Sequence, residues 1–83
     1  MHQVRAERPL WTAGARDLPL ACTVQLRAHG AVHQAVVQAE GDGWCLELAT
    51  PARGVAPGQA AVLYDGDGPD AQVLGSATIA SAA

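Results

Sequence analysis

Hydrophobic and polar residues alternate with a period of two in several short segments of this chain. Residues typical of turns (glycine, proline and aspartate) separate these segments near positions 13–14, 29–30, 41–43, 57–58 and 65–69. Successive side chains of a strand point to opposite faces, so each segment predicts a strand with one apolar and one polar face. Short strands at this spacing are typical of an all-β sandwich or barrel and not of a helical protein.

Five strands are predicted at 20–29, 32–40, 44–50, 60–65 and 72–80, and two shorter ones at 3–6 and 10–12. Gly41-Asp42-Gly43 supplies residues that tolerate the positive φ of a tight turn, so the strands on either side of it should form a hairpin. Five to six short strands that close on themselves predict a small closed or partly closed antiparallel β-barrel. We expect a single domain over residues 1–83, with a disordered tail at 81–83.

The alternation also predicts which residues face the core. In three strands these are Cys22, Val24, Leu26 and Ala28; Trp44, Leu46 and Leu48; and Val73, Gly75, Ala77 and Ile79. Gly75 inside a strand indicates a bulge or a close approach of another backbone. Pro57-Gly58 suits the centre of a type II turn, because glycine accepts the positive φ that this turn requires.

Length, composition and net charge exclude several classes of function. The chain has 83 residues and a formal net charge of −3, and its five basic residues are all arginine. One small, mildly acidic domain has no room for two lobes around a cleft and does not resemble a free-standing nucleic-acid-binding protein. No secretory signal or membrane-length apolar run occurs, so we expect a cytoplasmic chain with reduced thiols and no membrane partner.

Motifs for catalysis and metal binding are missing from the sequence. It has no phosphate-binding glycine loop between a strand and a helix and no nucleophile elbow. His29 and His33 lack a third metal ligand, and the aspartates of 65–70 lack the pattern of a calcium loop. Cys22 and Cys45 lie within predicted strands, without a base that would activate a thiol. We therefore predict no catalytic residue, no metal site and no cofactor site in this domain.

A longer motif resembles a known family. It runs Pro51-x-Arg53-Gly-Val-Ala-Pro57-Gly58-Gln59-x-x-Val62-x-Tyr64 and is followed by Val73-Leu74-Gly75 and Ile79. These residues resemble the end of the bacterial tRNA-specific 2-thiouridylases. Trp11 and the segment Leu18-Pro-Leu-x-Cys22-x-Val24-x-x-Arg27 extend the resemblance over roughly residues 8–79. The lack of lysine beside abundant alanine, glycine and arginine points to GC-rich codons, so we expect an actinobacterial source.

The resemblance implies that the chain is the C-terminal β-barrel of a three-domain enzyme. Members of that family use ATP to adenylate carbon 2 of the wobble uridine of certain tRNAs, and sulfur then arrives as a persulfide. The ATP-binding loop and both catalytic cysteines belong to the N-terminal domain, so Cys22 and Cys45 have neither role. The implied partners are tRNA and the catalytic and middle domains of the same protein.

Four residues are the candidate RNA contacts: Gln25, Arg27, Arg53 and Gln59. Arg27 shares the polar face of its strand with Gln25, and Arg53 lies in the turn after Pro51. A guanidinium group offers paired donors that match phosphate oxygens. Alternatively, the two arginines are solvated or pair with Glu40 or Glu47, and the side chain of Gln59 satisfies backbone groups of its turn. Trp44 and Tyr64 are expected to pack in the core instead of stacking on bases.

Three functions remain open at this stage. The first is an accessory domain that helps a tRNA-thiolating enzyme hold its RNA. The second is a structural module that docks on the catalytic domain without touching RNA, for which an exposed apolar face would be evidence. The third is an unrelated barrel that holds a small ligand, which would need a cavity lined by convergent polar groups.

Overall fold

The computed structural model describes residues 2–26 and 30–83 and contains six strands. They are β1 (Gln3–Trp11), β2 (Leu20–Gln25), β3 (Val32–Glu40), β4 (Gly43–Leu48), β5 (Ala60–Tyr64) and β6 (Val73–Ala82). All neighbouring pairs are antiparallel, and the order β1-β4-β3-β2-β5-β6 closes on itself. The predicted all-β, closed antiparallel barrel is therefore confirmed. No helix in the described part of the chain is long and apolar enough to cross a membrane.

The first strand differs from the prediction, because the two short strands expected at its ends form one. Pro9, which has no backbone N–H to donate to a ladder, lies between them. β1 passes this point by a register shift against β6 between Glu7 and Leu10. Arg8 takes a φ of +53° within the shift. β2 ends at Gln25, earlier than the predicted end at residue 29. Residues 27–29, which include Arg27 and Ala28, lie outside the described residues.

The inner faces of the strands meet in one apolar core. Val24, Val37, Leu46 and Leu63 are completely or almost completely buried there. The predicted core faces of β2 and β4 are confirmed over the described residues, since Cys22, Val24 and Leu26 and also Trp44, Leu46 and Leu48 are buried. The ring centroids of Trp11 and Trp44 lie 4.9 Å apart, with the rings tilted by 55°. This pair supplies aromatic bulk to a core made otherwise of aliphatic residues and small ones.

Two predicted turns are confirmed. β3 and β4 form a hairpin in which Glu40 pairs with Gly43, so the two-residue turn is Gly41-Asp42. Gly41 has a φ of +58°, as such a turn requires. Before β5, Gly58 has a φ of +90°, and the N–H of Gln59 donates to the carbonyl of Ala56. This is the type II turn that Pro57-Gly58 predicted.

The inward face of β6 was predicted wrongly at its start. Leu63 pairs with Gly75 and Tyr64 pairs with Val73, so Leu74 is an extra residue in the ladder. This bulge turns Leu74 into the core and leaves Val73 38% exposed. Gly75, Ala77 and Ile79 face the core as predicted. A Cβ atom on Gly75 would lie 2.6 Å from the carbonyl oxygen of Leu10, which is the close approach that this glycine indicated.

The end of the chain also differs from the prediction of a disordered tail at 81–83. β6 continues to Ala82, and Ser81 and Ala82 pair with Arg5 and Val4 of β1. The N–H of Ala83 donates to the carbonyl of Gln3. Small residues without alternation carry no strand signal of their own, so only the closure of the barrel between β6 and β1 orders them.

Candidate nucleic-acid interface

Three of the four predicted RNA-contact residues are described, and they belong to one end of the barrel. Because all pairs are antiparallel, connections 26–31 and 49–59 meet at the same end, together with both chain termini. We call this end the mouth. Arg53 and Gln59 lie in connection 49–59, and Gln25 is the last residue of β2 before connection 26–31. Arg27 belongs to connection 26–31 by sequence and lies outside the described residues.

Arg53 is exposed at the mouth and lines a pocket of about 200 Å³. The other described residues that line this pocket are Leu26, Gly30, Ala31, His33 and Ala52. Among the described residues, no carboxylate pairs with Arg53. Glu40 pairs instead with Arg5 at 3.3 Å, and Glu47 accepts a hydrogen bond from Gln3 at 2.7 Å. The two glutamates considered as partners for the arginines are therefore engaged on the outer wall.

Gln25 has partners for both ends of its amide. Its Oε1 accepts a hydrogen bond from the hydroxyl of Tyr64 at 3.2 Å, and its Nε2 donates to the carbonyl of Gly30 at 3.2 Å. The side chain thus ties connection 26–31 to β5. Contact with RNA remains a prediction for Gln25, and it would have to compete with these two bonds.

The turn around Gln59 is held by its backbone. Its N–H donates to Ala56, its carbonyl accepts from the N–H of Ile79, and the N–H of Gly58 donates to the carbonyl of Ile79. The side-chain Oε1 of Gln59 is buried, and no donor among the described residues lies within hydrogen-bond distance of it. The expected role of this oxygen in satisfying the turn is therefore not seen. Contact between Gln59 and RNA stays a prediction.

Charge is unevenly distributed between the two ends of the barrel. All five aspartates of the chain belong to the three connections of the far end, which are 12–19, 41–42 and 65–72. Connections 26–31 and 49–59 at the mouth contain no acidic residue and include two arginines. The net charge of −3 therefore does not describe the mouth, where a phosphate would meet donors without a neighbouring aspartate.

The loop of aspartates at 65–72 has a structural role. The Oδ1 of Asp65 accepts a hydrogen bond from the N–H of Gln72 at 2.8 Å, which closes the connection. The connection folds over the outer face of β2, where the hydroxyl of Thr23 donates to the carbonyl of Gly66. Thr23 is only 3% exposed for this reason, although it lies on the polar face. No group of three potential metal ligands occurs within residues 2–26 and 30–83.

Both thiols are free and buried. Burial raises the pKa of Cys22 to about 11. Burial also raises the pKa of Cys45, and the carboxylates of Glu40 and Glu47 act in the same direction. An activated nucleophile needs the opposite shift, because the thiolate is the reactive form.

The raised pKa of Cys22 should make the stability of the fold decrease at alkaline pH. A thiol whose pKa is raised on folding contributes stability that is complete below its unfolded pKa and is lost as the pH rises towards the folded value. The free energy of unfolding should therefore fall between pH 9 and pH 11. Urea titrations across this window should show a shallower fall for Cys22→Ala than for the parent chain. If the free energy of unfolding falls equally with pH in both proteins, Cys22 is not the group that causes the fall.

Comparison with known proteins gives the family. The family described as "Aminomethyltransferase beta-barrel domain" matches residues 1–79. A tRNA-specific 2-thiouridylase of Salinispora arenicola is 58% identical over 80 residues, which are 95% of this chain and 22% of the relative. Those of Acidothermus cellulolyticus and a Nocardioides species are 58% identical over 73 residues and 52% identical over 81 residues. They cover 88% and 98% of this chain but only 19% and 21% of the relatives.

The matched region is the C-terminal part of these relatives, which are mostly actinobacterial, as the sequence led us to expect. No solved structure matches the chain significantly. The chain spans about a fifth of the length of the curated relatives it matches. It belongs to the aminomethyltransferase β-barrel domain family and is similar to the C-terminal part of tRNA-specific 2-thiouridylases.

Proposed function

We propose that this barrel is a non-catalytic domain of a tRNA 2-thiouridylase and that its mouth helps to hold the tRNA. The parent enzyme would thiolate carbon 2 of the wobble uridine with ATP, using residues outside this chain. The observation that best supports the proposal is the exposed Arg53 in a mouth whose connections contain no acidic residue. The raised pKa values of both thiols agree with a role that is not catalytic.

One or two arginines neutralise few phosphates, so the 83-residue chain alone should bind tRNA weakly and with a small salt dependence. In a longer chain, the other domains would hold the tRNA close to the mouth. The second contact then becomes intramolecular, and a weak site contributes at a high effective concentration. A mildly acidic domain can therefore assist binding without being an independent RNA-binding protein.

Arg53→Gln tests this role. We expect the variant to bind tRNA about three to ten times more weakly than the parent chain in low salt (about 50 mM), because one phosphate contact is lost. The plot of log affinity against log salt should become less steep by about 1. Fluorescence anisotropy with a labelled tRNA measures both quantities.

The matched control is Arg16→Gln, which removes the same charge from connection 12–19 at the far end. This variant should bind tRNA like the parent chain if the mouth makes the contact. Equal losses for the two variants would show that only net charge matters. Unchanged binding for both would exclude a contribution from Arg53.

The outer wall supports a second candidate, a module that docks on the remainder of the thiouridylase chain. The outward residues of β5 and β6 are uncharged, and Leu10 beside them is 64% exposed. Ser76 separates Leu10 from Val62 in the ladder, so the three side chains form one uncharged row. Burying uncharged side chains avoids the cost of taking charges out of water, which suits an interface. Under this alternative, Arg53→Gln and Arg16→Gln should bind tRNA with the same affinity as each other.

A further inference from the structure

His33 occupies an unusual place in the barrel. It is the first member of the inward series His33, Ala35 and Val37 on β3, and its Cα pairs with that of Val24. Ala35, Val37 and Val24 are buried, whereas His33 is only partly buried. The strand begins one residue earlier, so this inward position lies at the rim of the barrel and not within the core. An imidazole there can make polar contacts at the mouth.

The imidazole and the Arg53 guanidinium line the same pocket from different parts of the chain. His33 comes from the start of β3, and Arg53 comes from connection 49–59. The other described residues that line it are apolar or glycine, and none of them is acidic. An imidazole N–H and a guanidinium group are both donors to phosphate oxygens. Two donors that share a pocket without a competing carboxylate favour an anion as its occupant.

The size of the pocket limits what it can hold. Sites for whole small ligands usually measure about 300–1,000 Å³, whereas this pocket measures about 200 Å³. A single phosphate group fits such a volume better than a complete nucleotide. A base would also lack an aromatic platform, because none of the described lining residues is a tryptophan, tyrosine or phenylalanine.

We propose that the mouth pocket holds one backbone phosphate of the tRNA and that His33 binds it together with Arg53. This proposal rests on the proposed function, since it names the contact by which the mouth holds RNA. It adds a residue that the sequence motif does not contain. The phosphate would receive a hydrogen bond from the imidazole and one or two from the guanidinium group.

The test compares variants of β3 in the 83-residue chain. His33→Ala should bind an RNA hairpin with the sequence of an anticodon arm about three to ten times more weakly, because one hydrogen bond at a solvent-exposed rim is lost. His33→Gln retains an N–H donor on a side chain of similar reach and should recover much of the affinity. The matched control is Gln34→Ala, which changes the outward neighbour of His33 and should bind like the parent chain.

A second measurement uses inorganic phosphate. The imidazole signals of His33 in NMR spectra should shift as phosphate is added, and Arg53→Gln should weaken this response. If Arg53→Gln weakens RNA binding while His33→Ala and Gln34→Ala do not, the pocket proposal is overturned and the proposed function stands. If the parent chain binds no RNA in low salt, the proposed function fails for this chain. In that case, a phosphate response would support an anion pocket, and no response would overturn it.

Discussion

Trp44→Ala should remove a large share of the free energy that keeps this barrel folded. The indole is 4% exposed and meets Trp11 at a centroid distance of 4.9 Å. Truncation of a buried tryptophan costs about 3–5 kcal/mol, because it removes apolar contacts and leaves a cavity. Domains have a free energy of unfolding of roughly 0.05–0.15 kcal/mol per residue, which makes the expected loss a large share of the total for a chain of this size. Urea denaturation followed by far-UV circular dichroism measures the change.

Leu10→Ala is the control for this truncation. Leu10 is 64% exposed, so its removal should change the free energy of unfolding by less than about 0.5 kcal/mol. Trp44→Phe retains part of the aromatic volume and keeps the measurement possible if the alanine variant does not fold. We expect its free energy of unfolding to lie between those of Trp44→Ala and the parent chain. A midpoint for Trp44→Ala equal to that of the parent chain would show that the indole is not part of the core.

The core of the central strands could be predicted from the sequence because period-two alternation reports directly on burial. β4 illustrates this, since Trp44, Leu46 and Leu48 alternate with more polar neighbours and are all buried. Alternation predicted the wrong face for Val73, because one inserted residue in a strand reverses the faces of the residues on one side of it. A bulge depends on the pairing of β6 with β5, which local alternation does not encode.

The candidate site was predicted only in part, and for a similar reason. The motif residues Arg53 and Gln59 belong to one short segment of the chain, so the sequence alone indicated that they lie in the same region. His33 belongs to another strand, and the pairing of β3 with β4 brings it to the pocket that Arg53 also lines. Its one local signal is a polar residue at the start of an otherwise apolar inward series. The separation of aspartates from the mouth likewise depends on topology, because net charge is a sum over the whole chain.

Two glycines beside the register shift of β1 show how much depends on long-range pairing. Gly75 was predicted to allow a close approach because it interrupts a strand, and the carbonyl of Leu10 fills that space. Gly43 was interpreted only as part of a turn. The structure places Ala6 and Glu7 of β1 against it, and the register of β1 against β4 brings them there.

Gly43→Ala should therefore destabilise the barrel by about 3 kcal/mol or more. A Cβ atom on this residue would overlap the carbonyl oxygen of Ala6 and lie 3.3 Å from the carbonyl carbon. It would also lie 3.5 Å from the Cα of Glu7. All three are backbone atoms, so no side chain can rotate away, and β1 would have to separate from β4 where the barrel closes. Overpacking that requires a backbone shift costs about 1–3 kcal/mol, and the loss of strand pairing adds to it. The midpoint of urea denaturation measures the effect.

Gly68→Ala provides the matched control, because a Cβ atom there would meet nothing within 4 Å. Alanine at such a position leaves stability unchanged or raises it slightly, since it restricts the unfolded chain. If both variants unfold at the same urea concentration as the parent chain, β1 does not lie against Gly43 as described. A large loss for Gly43→Ala alone would show that the close contact between β1 and β4 holds the barrel closed, because only that substitution meets the backbone of β1.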